Sequence, residues 1–358
     1  MKCGIIGLPN VGKSTLFNSL SNAKAHSANF PFCTIEYNLG MVQVFDPRLY
    51  ELNNLVKSQR IVPAIVEVVD IAGLVKGAHK GEGLGNQFLS HITQTHALVH
   101  MLRCFEEENI IHVEGNVDPI RDKQIIDLEL QLKDIEIIEK KIEKEKKNQK
   151  AKELIVILER LKKELNLGKN LREVFLSQKE KEELKEVNLL TLKPMIYLCN
   201  VNELDLVHSN AHIEKVKEMA NKEKAKVLIL AAKLEADIRE LETQEEREIF
   251  LKEMGLNQPG TDTLIKAMYD LLNLETYFTV GEKEIRAWTI PKSSKALHAA
   301  SVIHTDFERG FIKAEVIHYE DFIKYGSEIK AKEAGKLLIE GKEYIVKDGD
   351  VIHFRFNV

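Results

Sequence analysis

An α/β fold built on a doubly wound, mostly parallel sheet is what this 358-residue sequence predicts, and three observations predict it. Apolar, β-branched runs recur at 3–6, 41–45, 64–69, 97–102, 195–199 and 227–230, with helical patterns between them. The first run leads directly into Gly7-Leu8-Pro9-Asn10-Val11-Gly12-Lys13-Ser14, spaced Gly-x4-Gly-Lys-Ser. Behind that segment, 13–20 carries Leu16, Phe17 and Leu20 at helical spacing. Strand, glycine turn and helix thus follow one another in the order that a phosphate-binding loop requires.

The chemistry of that loop follows from its residue types. Two glycines let the backbone curl until successive N–H groups converge on an anion, Lys13 reaches the outer phosphates, and the Ser14 hydroxyl suits Mg²⁺. The N-terminus of helix 13–20 adds its positive dipole end.

Bulk properties bound the rest. A chain of this length exceeds one ordinary core and predicts two or three domains, and 44% hydrophobic with 30% charged residues is the composition of a globular protein. No stretch approaches the roughly 20 apolar residues of a membrane span. The start Met1-Lys2-Cys3-Gly4 leads into no uninterrupted apolar signal-peptide core, so a cytoplasmic location without membrane partners is expected. Cys3, Cys33, Cys104 and Cys199 are scattered without a C-x-x-C pair, which predicts buried reduced thiols and neither a zinc site nor a disulfide frame. The net charge of −5 argues against a globally basic nucleic-acid binder and leaves local basic patches open.

Two further regions depart from the strand–helix alternation. From 122 to 186 the chain is rich in Lys, Glu, Leu and Ile; Leu128, Leu132, Ile135, Ile138 and Ile142, then Leu154, Leu158, Leu161 and Leu165, fall three and four apart. The apolar seam lapses through 143–152, which predicts an antiparallel helical hairpin with its tip there. Lys140, Lys141, Lys144, Lys146, Lys147, Lys150 and Lys152 make that tip basic, either as a solvated face or as a docking surface for RNA or another anionic partner. Leu167-Gly168-Lys169-Asn170 marks a stop, and 179–187 is helical again. After Glu275 the runs 285–290, 312–317, 344–346 and 351–356 predict strands of a separate α+β domain, with Lys347-Asp348-Gly349-Asp350 as a hairpin turn. The expected divisions are 1–118 with 190–274, an insertion at 119–189, and a C-terminal domain at 275–358.

Three more segments bear on the nucleotide. In Phe30-Pro31-Phe32-Cys33-Thr34-Ile35, Thr34 is placed to close over a γ-phosphate and give Mg²⁺ a second hydroxyl. Asp70-Ile71-Ala72-Gly73 ends a strand; its carboxylate can orient a metal-bound water and the Gly73 N–H can meet the γ-phosphate. Leu74 stands where many GTPases carry a water-positioning Gln, so another group must do that work or the intrinsic rate is very low. The glycine-dense run 75–86 follows, and its His79 reads as a solvated loop residue more than a catalytic one. After strand 195–199 comes Asn200-Val201-Asn202-Glu203, where GTPases carry Asn-Lys-x-Asp: Val201 replaces the lysine that covers the ring, and Glu203 is one methylene longer than the aspartate. Guanine readout is weakened, and adenine is the other purine. Ala231-Ala232-Lys233, after the next strand, is placed to wall the base.

Together these residues resemble the YchF or Obg-like ATPase family. The matching motifs are 7–14, 30–36, 70–86, 200–203, Arg286-Ala287-Trp288-Thr289-Ile290 and 304–311, so the resemblance covers essentially the whole chain. It implies a P-loop NTPase G domain with an inserted α-helical coiled-coil hairpin and a C-terminal α+β, ubiquitin-like TGS domain. It also implies ATP preferred over GTP and association with the ribosome or its large subunit; RNA contact through the TGS domain is a separate hypothesis, since no aromatic RNA-binding consensus is visible and Trp288 and Phe307 read as core. Carried over by residue, Asn10, Val11, Gly12, Lys13, Ser14 and Thr15 hold the phosphates, Ser14 and Thr34 hold Mg²⁺, Val201 meets adenine through its backbone beside Asn200 and Glu203, and Lys13, Thr34, Asp70 and Gly73 serve hydrolysis. Asn10 matches the position that potassium-activated relatives use as a K⁺ ligand. Tyr37 stands where Pro is expected and Ala231 where Ser is expected. The resulting expectation is a slow, K⁺-assisted ATPase switch linked to translation; its rivals are a GTPase of ribosome assembly and a nucleotide-gated adaptor that hardly turns over.

Overall fold

A computed structural model of the chain describes residues 1–21, 39–71, 84–148 and 151–357. The chain forms two compact units, Met1–Met41 with Glu67–Leu264, and Val42–Val66 with Ile265–Val358. Its elements run β1 (Lys2–Ile6), α1 (Lys13–Leu20), β2 (Leu39–Val44), α2 (Pro47–Val56), β3 (Ile61–Val62), β4 (Ala64–Asp70), α3 (Leu84–Thr93) and β5 (Ala97–Arg103). They continue with α4 (Pro119–Glu145), α5 (Lys152–Asn166), α6 (Gln178–Leu184), β6 (Met195–Asn200), α7 (Ala211–Glu223), β7 (Lys226–Leu230), α8 (Ala232–Glu240), α9 (Gln244–Glu253) and α10 (Gly260–Leu271).

The first sheet has the order β2-β4-β1-β5-β6-β7, and the ladders β4–β1, β1–β5, β5–β6 and β6–β7 are parallel. Strands covered on both faces should be apolar throughout, and every residue of β5 and β6 is buried. Helices α1 and α8 pack together, whereas α4 lies against β5 and α7. Because the strands are parallel, the residues that leave β1, β4, β5 and β6 emerge at one end of the sheet, where an open α/β fold binds its ligand.

The predicted helical hairpin is present as α4 and α5, and its tip falls in the predicted lapse. Asp118 caps α4 by accepting from Ile120 N at 3.1 Å, and Pro119 opens the helix. Ile138, Leu158, Leu161 and Leu165 are buried between the helices. Nearer the sheet the seam differs from the expectation: Leu128 is 49% exposed, and Ile126 and Leu130 are buried instead. The cause is a polar cluster under α4. Lys123 Nζ meets Asp127 at 2.6 Å and also pairs with Glu223, and Arg172 reaches Asp127 at 3.0 Å. Tyr197 OH donates to Glu223 at 2.5 Å. Burial pushes the Asp127 carboxyl up, but Arg172 and Lys123 overcome it and hold it below its ordinary value. Asp134 fastens the return of the chain by accepting from Leu190 N at 2.7 Å and Thr191 N at 2.8 Å.

The second unit adds β8 (Leu274–Val280), β9 (Ile285–Pro291), α11 (Ala296–Ile303), α12 (Thr305–Arg309), β10 (Phe311–Ile317), α13 (Tyr319–Tyr325), α14 (Glu328–Glu333), β11 (Leu338–Glu340) and β12 (Val351–Phe356). Its sheet order is β11-β10-β12-β8-β9-β3. A β8–β9 hairpin, then α11, then β12 parallel to β8 is the ubiquitin-like arrangement. Tyr277, Ile290, Ala296, Ala299, Ala300 and Phe354 form its core. The strand expected at 344–346 is reduced to one bridge, Lys295 with Ile345, and the turn at 347–350 joins no hairpin. Its carboxylates explain this: Asp350 accepts from Tyr344 OH at 2.8 Å and Lys347 N at 2.9 Å, while Asp348 accepts from Thr276 N at 2.9 Å. The segment is tied in place by these side-chain bonds together with main-chain bonds from Ala296 N to Tyr344 O at 2.7 Å and from Val346 N to Ser294 O at 2.9 Å. Within this unit Arg48 of α2 reaches Asp348 at 2.8 Å, and β3 pairs in parallel with β9.

Candidate nucleotide site

The phosphate-binding loop joins β1 to α1 as its sequence requires. Gly7 has φ 153° and Gly12 φ 101°, and a Cβ on either would lie 2.5 Å from Met101 O or Asn200 Nδ2 respectively. Both positions demand glycine for close approach as well as for backbone angle. Gly12 caps α1 without a side-chain bond, so the first N–H groups of the helix remain available to an anion. Ser14 and Thr15 are exposed at that turn, and Val11 is buried beneath it.

Lys13 is only 6% exposed, and its Nζ donates to Leu8 O at 2.7 Å. Burial pushes its ammonium down to about 8, with Asp70 acting in the opposite direction. Asp70 closes β4, and its Oδ2 accepts from Ser14 Oγ at 3.2 Å. Its Oδ1 is buried without a hydrogen-bond partner among the described residues, and burial raises the carboxyl above its ordinary value against the pull of Lys13 and Ser14. An orphaned carboxylate oxygen beside an exposed serine hydroxyl is a set of hard oxygen donors, and it fits Mg²⁺. Ser14 would hold the ion directly and Asp70 through water; bound there, Mg²⁺ would neutralise phosphate charge.

The base-reading loop is fixed to the phosphate loop through one side chain. Asn200 Nδ2 donates to Val11 O at 2.9 Å, and its Oδ1 accepts from Ala232 N at 2.9 Å. Val201 is buried, and its N–H is engaged by Leu230 O at 3.0 Å. Glu203 is exposed at the start of the short 3-10 turn Glu203–Leu206. Asn10 has φ 62° and donates from Nδ2 to Ile111 O at 3.1 Å. The structure therefore brings together Asn10, Val11, Gly12, Lys13, Ser14, Thr15, Asp70, Asn200 and Val201 at one end of the sheet. Thr34 and Gly73, with Leu74, His79 and Tyr37, lie outside the described residues. Sequence reasoning missed Arg103 and the carbonyl of Ile111. A charged residue closing the apolar run 97–102 was the one available sign.

A glycine-rich loop on a helix N-terminus, a buried lysine, a strand-end aspartate by the loop serine, and the Asn200 loop two strands away define a P-loop NTPase of the GTPase fold. The family model for "50S ribosome-binding GTPase" matches residues 2–160, and the YchF-GTPase C-terminal model, described as "Protein of unknown function (DUF933)", matches 274–357. The chain is 53% identical over 362 residues to "Ribosome-binding ATPase YchF" of Escherichia coli O157:H7, covering 100% of this chain and 99% of that protein. It is 51% identical to the Bacillus subtilis (strain 168) protein of the same name, with 100% of both chains covered. A solved structure, the Schizosaccharomyces pombe YchF GTPase, matches with TM-score 0.89 and 39% identity over 99% of this chain and 97% of that one. The chain belongs to the YchF family.

Proposed function

We propose that the chain is a ribosome-binding ATPase that hydrolyses ATP to ADP and phosphate as a slow conformational switch. The observation that carries the choice of base is the state of the two backbone N–H groups beside the purine position. Val201 N–H is engaged by Leu230 O and Ala232 N–H by Asn200 Oδ1, so both donors are already committed within the protein. Adenine offers an N6 amino donor where guanine offers the acceptor O6. A guanine O6 that finds both of these N–H groups committed loses a hydrogen bond, at about 1–3 kcal/mol of discrimination.

Lys13 would then hold the outer phosphates, Ser14 and Thr34 would hold Mg²⁺, which would neutralise phosphate charge, Asp70 would orient a water, and Gly73 would serve the γ-phosphate through its N–H. The Asn10 amide nitrogen donates to Ile111 O, and Oδ1 is the atom of that side chain that would ligate K⁺. The ribosome partner rests on the names of the relatives, and a cytoplasmic location is inferred from that partner; RNA contact through the C-terminal unit or the basic hairpin tip belongs to the same reading, and so does the three-part division into G domain, insertion and TGS domain.

Calorimetric titration with Mg·ATP and Mg·GTP tests the base: tighter GTP binding refutes the adenine reading. Hydrolysis measured in K⁺ and then in Na⁺ tests Asn10, and an equal rate removes the K⁺ role. Single-turnover rates with and without ribosomes test the switch, since an adaptor shows no stimulated turnover.

A further inference from the structure

The loop that leaves β5 has no assigned role, yet the topology puts it over the site. In the first sheet β5 lies between β1, which delivers the phosphate loop, and β6, which delivers Asn200. Arg103, the last residue of β5, is directly in register with Asn200. The chain after it is tied on both sides: Cys104 N donates to Asn200 O at 2.8 Å, and Ile111 O accepts from Asn10 Nδ2 at 3.1 Å. Residues 104–111 therefore span from the base-reading loop to the phosphate loop, across the nucleoside half of the site.

What shapes that span is Arg103. Its side chain is among the largest fully buried in the described residues, at 2% exposure. It donates from Nε to Phe105 O at 3.1 Å, from Nη1 to Ile110 O at 2.9 Å and from Nη2 to Glu107 O at 3.1 Å. Its Cζ stands 4.7 Å from the centre of the Phe105 ring. A planar fork meeting three main-chain carbonyls of one loop defines that loop's curvature, which a single ammonium cannot do.

We propose that Arg103 is a positioning residue for the nucleoside end of the nucleotide: it moulds 104–111 into the wall that joins Asn200 to Asn10, and so sets affinity for the base and sugar while leaving the phosphates to the loop at 7–14. This rests on the nucleotide site proposed above. Arg103→Lys keeps the charge and loses the fork. Inserting one glycine between Glu108 and Asn109 keeps Arg103 and displaces the carbonyls it meets.

The test uses the full chain and two probes, Mg·ATP and Mg·tripolyphosphate, which has no base or sugar. In Arg103→Lys the ATP Kd should rise about tenfold or more, the scale of a lost charged hydrogen-bond pair. Tripolyphosphate should bind within about twofold of the unaltered chain, since its partners lie on the phosphate loop. KM for ATP should rise with kcat little changed. The glycine insertion should reproduce the split, and it decides the matter if Arg103→Lys does not fold. Unchanged ATP affinity, or equal loss of ATP and tripolyphosphate affinity, overturns the proposal. Failure of the unaltered chain to bind ATP at all would instead remove the ATPase reading.

Discussion

Replacing Lys13 by methionine should separate what the fold needs from what the ligand needs. The side chain is 6% exposed, and burial lowers its ammonium from 10.5 to about 8. The lowering by about 2.5, at about 1.36 kcal/mol per pH unit, sets a ceiling of about 3.4 kcal/mol on what the charge costs the folded chain at neutral pH. Loss of the bond to Leu8 O takes back about 1.5–3 kcal/mol. Lys13→Met should therefore leave the nucleotide-free protein as stable as before, or more stable by up to about 2 kcal/mol. In Mg·ATP the order should reverse, because ligand at about 100 times Kd stabilises the unaltered protein by about 2.7 kcal/mol and the variant by almost nothing.

Chemical denaturation with and without Mg·ATP reads this crossing directly. A second reading is pH. The folded value of about 8 lies below the ordinary 10.5, so between them the unfolded chain binds more protons. The stability of the nucleotide-free protein should then rise with pH from about 8 to about 10.5 relative to Lys13→Met, and any advantage of the variant should disappear there. If Lys13→Met loses more than about 1 kcal/mol without nucleotide, the buried ammonium is a net structural support and the reasoning fails.

Gly12→Ala should lower ATP affinity and cost about 1–3 kcal/mol in denaturant midpoint, because φ 101° and a Cβ 2.5 Å from Asn200 Nδ2 strain the loop and push Asn200 from Val11 O. Asp127→Ala should cost about 3–5 kcal/mol by the same measure, since it leaves Lys123 and Arg172 buried beneath α4 without their shared carboxylate. Asp134→Ala should cost about 2–4 kcal/mol through the unpaired N–H groups of Leu190 and Thr191. A stability change below about 0.5 kcal/mol in either aspartate variant would refute its structural role.

Much of the site was legible because its chemistry is local. Glycines at 7 and 12 report backbone angles and close approaches, and the helix after them begins at Lys13 as its spacing says. Periodicity was less informative once the partner of a face was polar. The hairpin helices were readable from their leucines, but α4 rotates its buried face near the sheet to bring in Asp127 and Asp134, and no apolar pattern encodes that. The run 344–346 alternates like a strand, yet its pairing is one bridge, Ile345 with Lys295, and Asp350 accepts from the Tyr344 hydroxyl.

Arg103 is the instructive omission. By residue type an arginine reads as surface, and at the end of an apolar strand it looks like the point where the chain meets water. Its burial is made tolerable by three carbonyls that come from residues two to seven positions later, in a loop that is neither helix nor strand. Nothing in composition or spacing specifies that those carbonyls turn inward. What specifies it is the position of β5 between β1 and β6, a property of strand order that becomes visible only when the whole sheet is assembled. The same order explains why Asn10 and Asn200, 190 residues apart in the chain, are tied to one short loop. In this fold the phosphate end of the site is written in a motif, and the nucleoside end is written in topology.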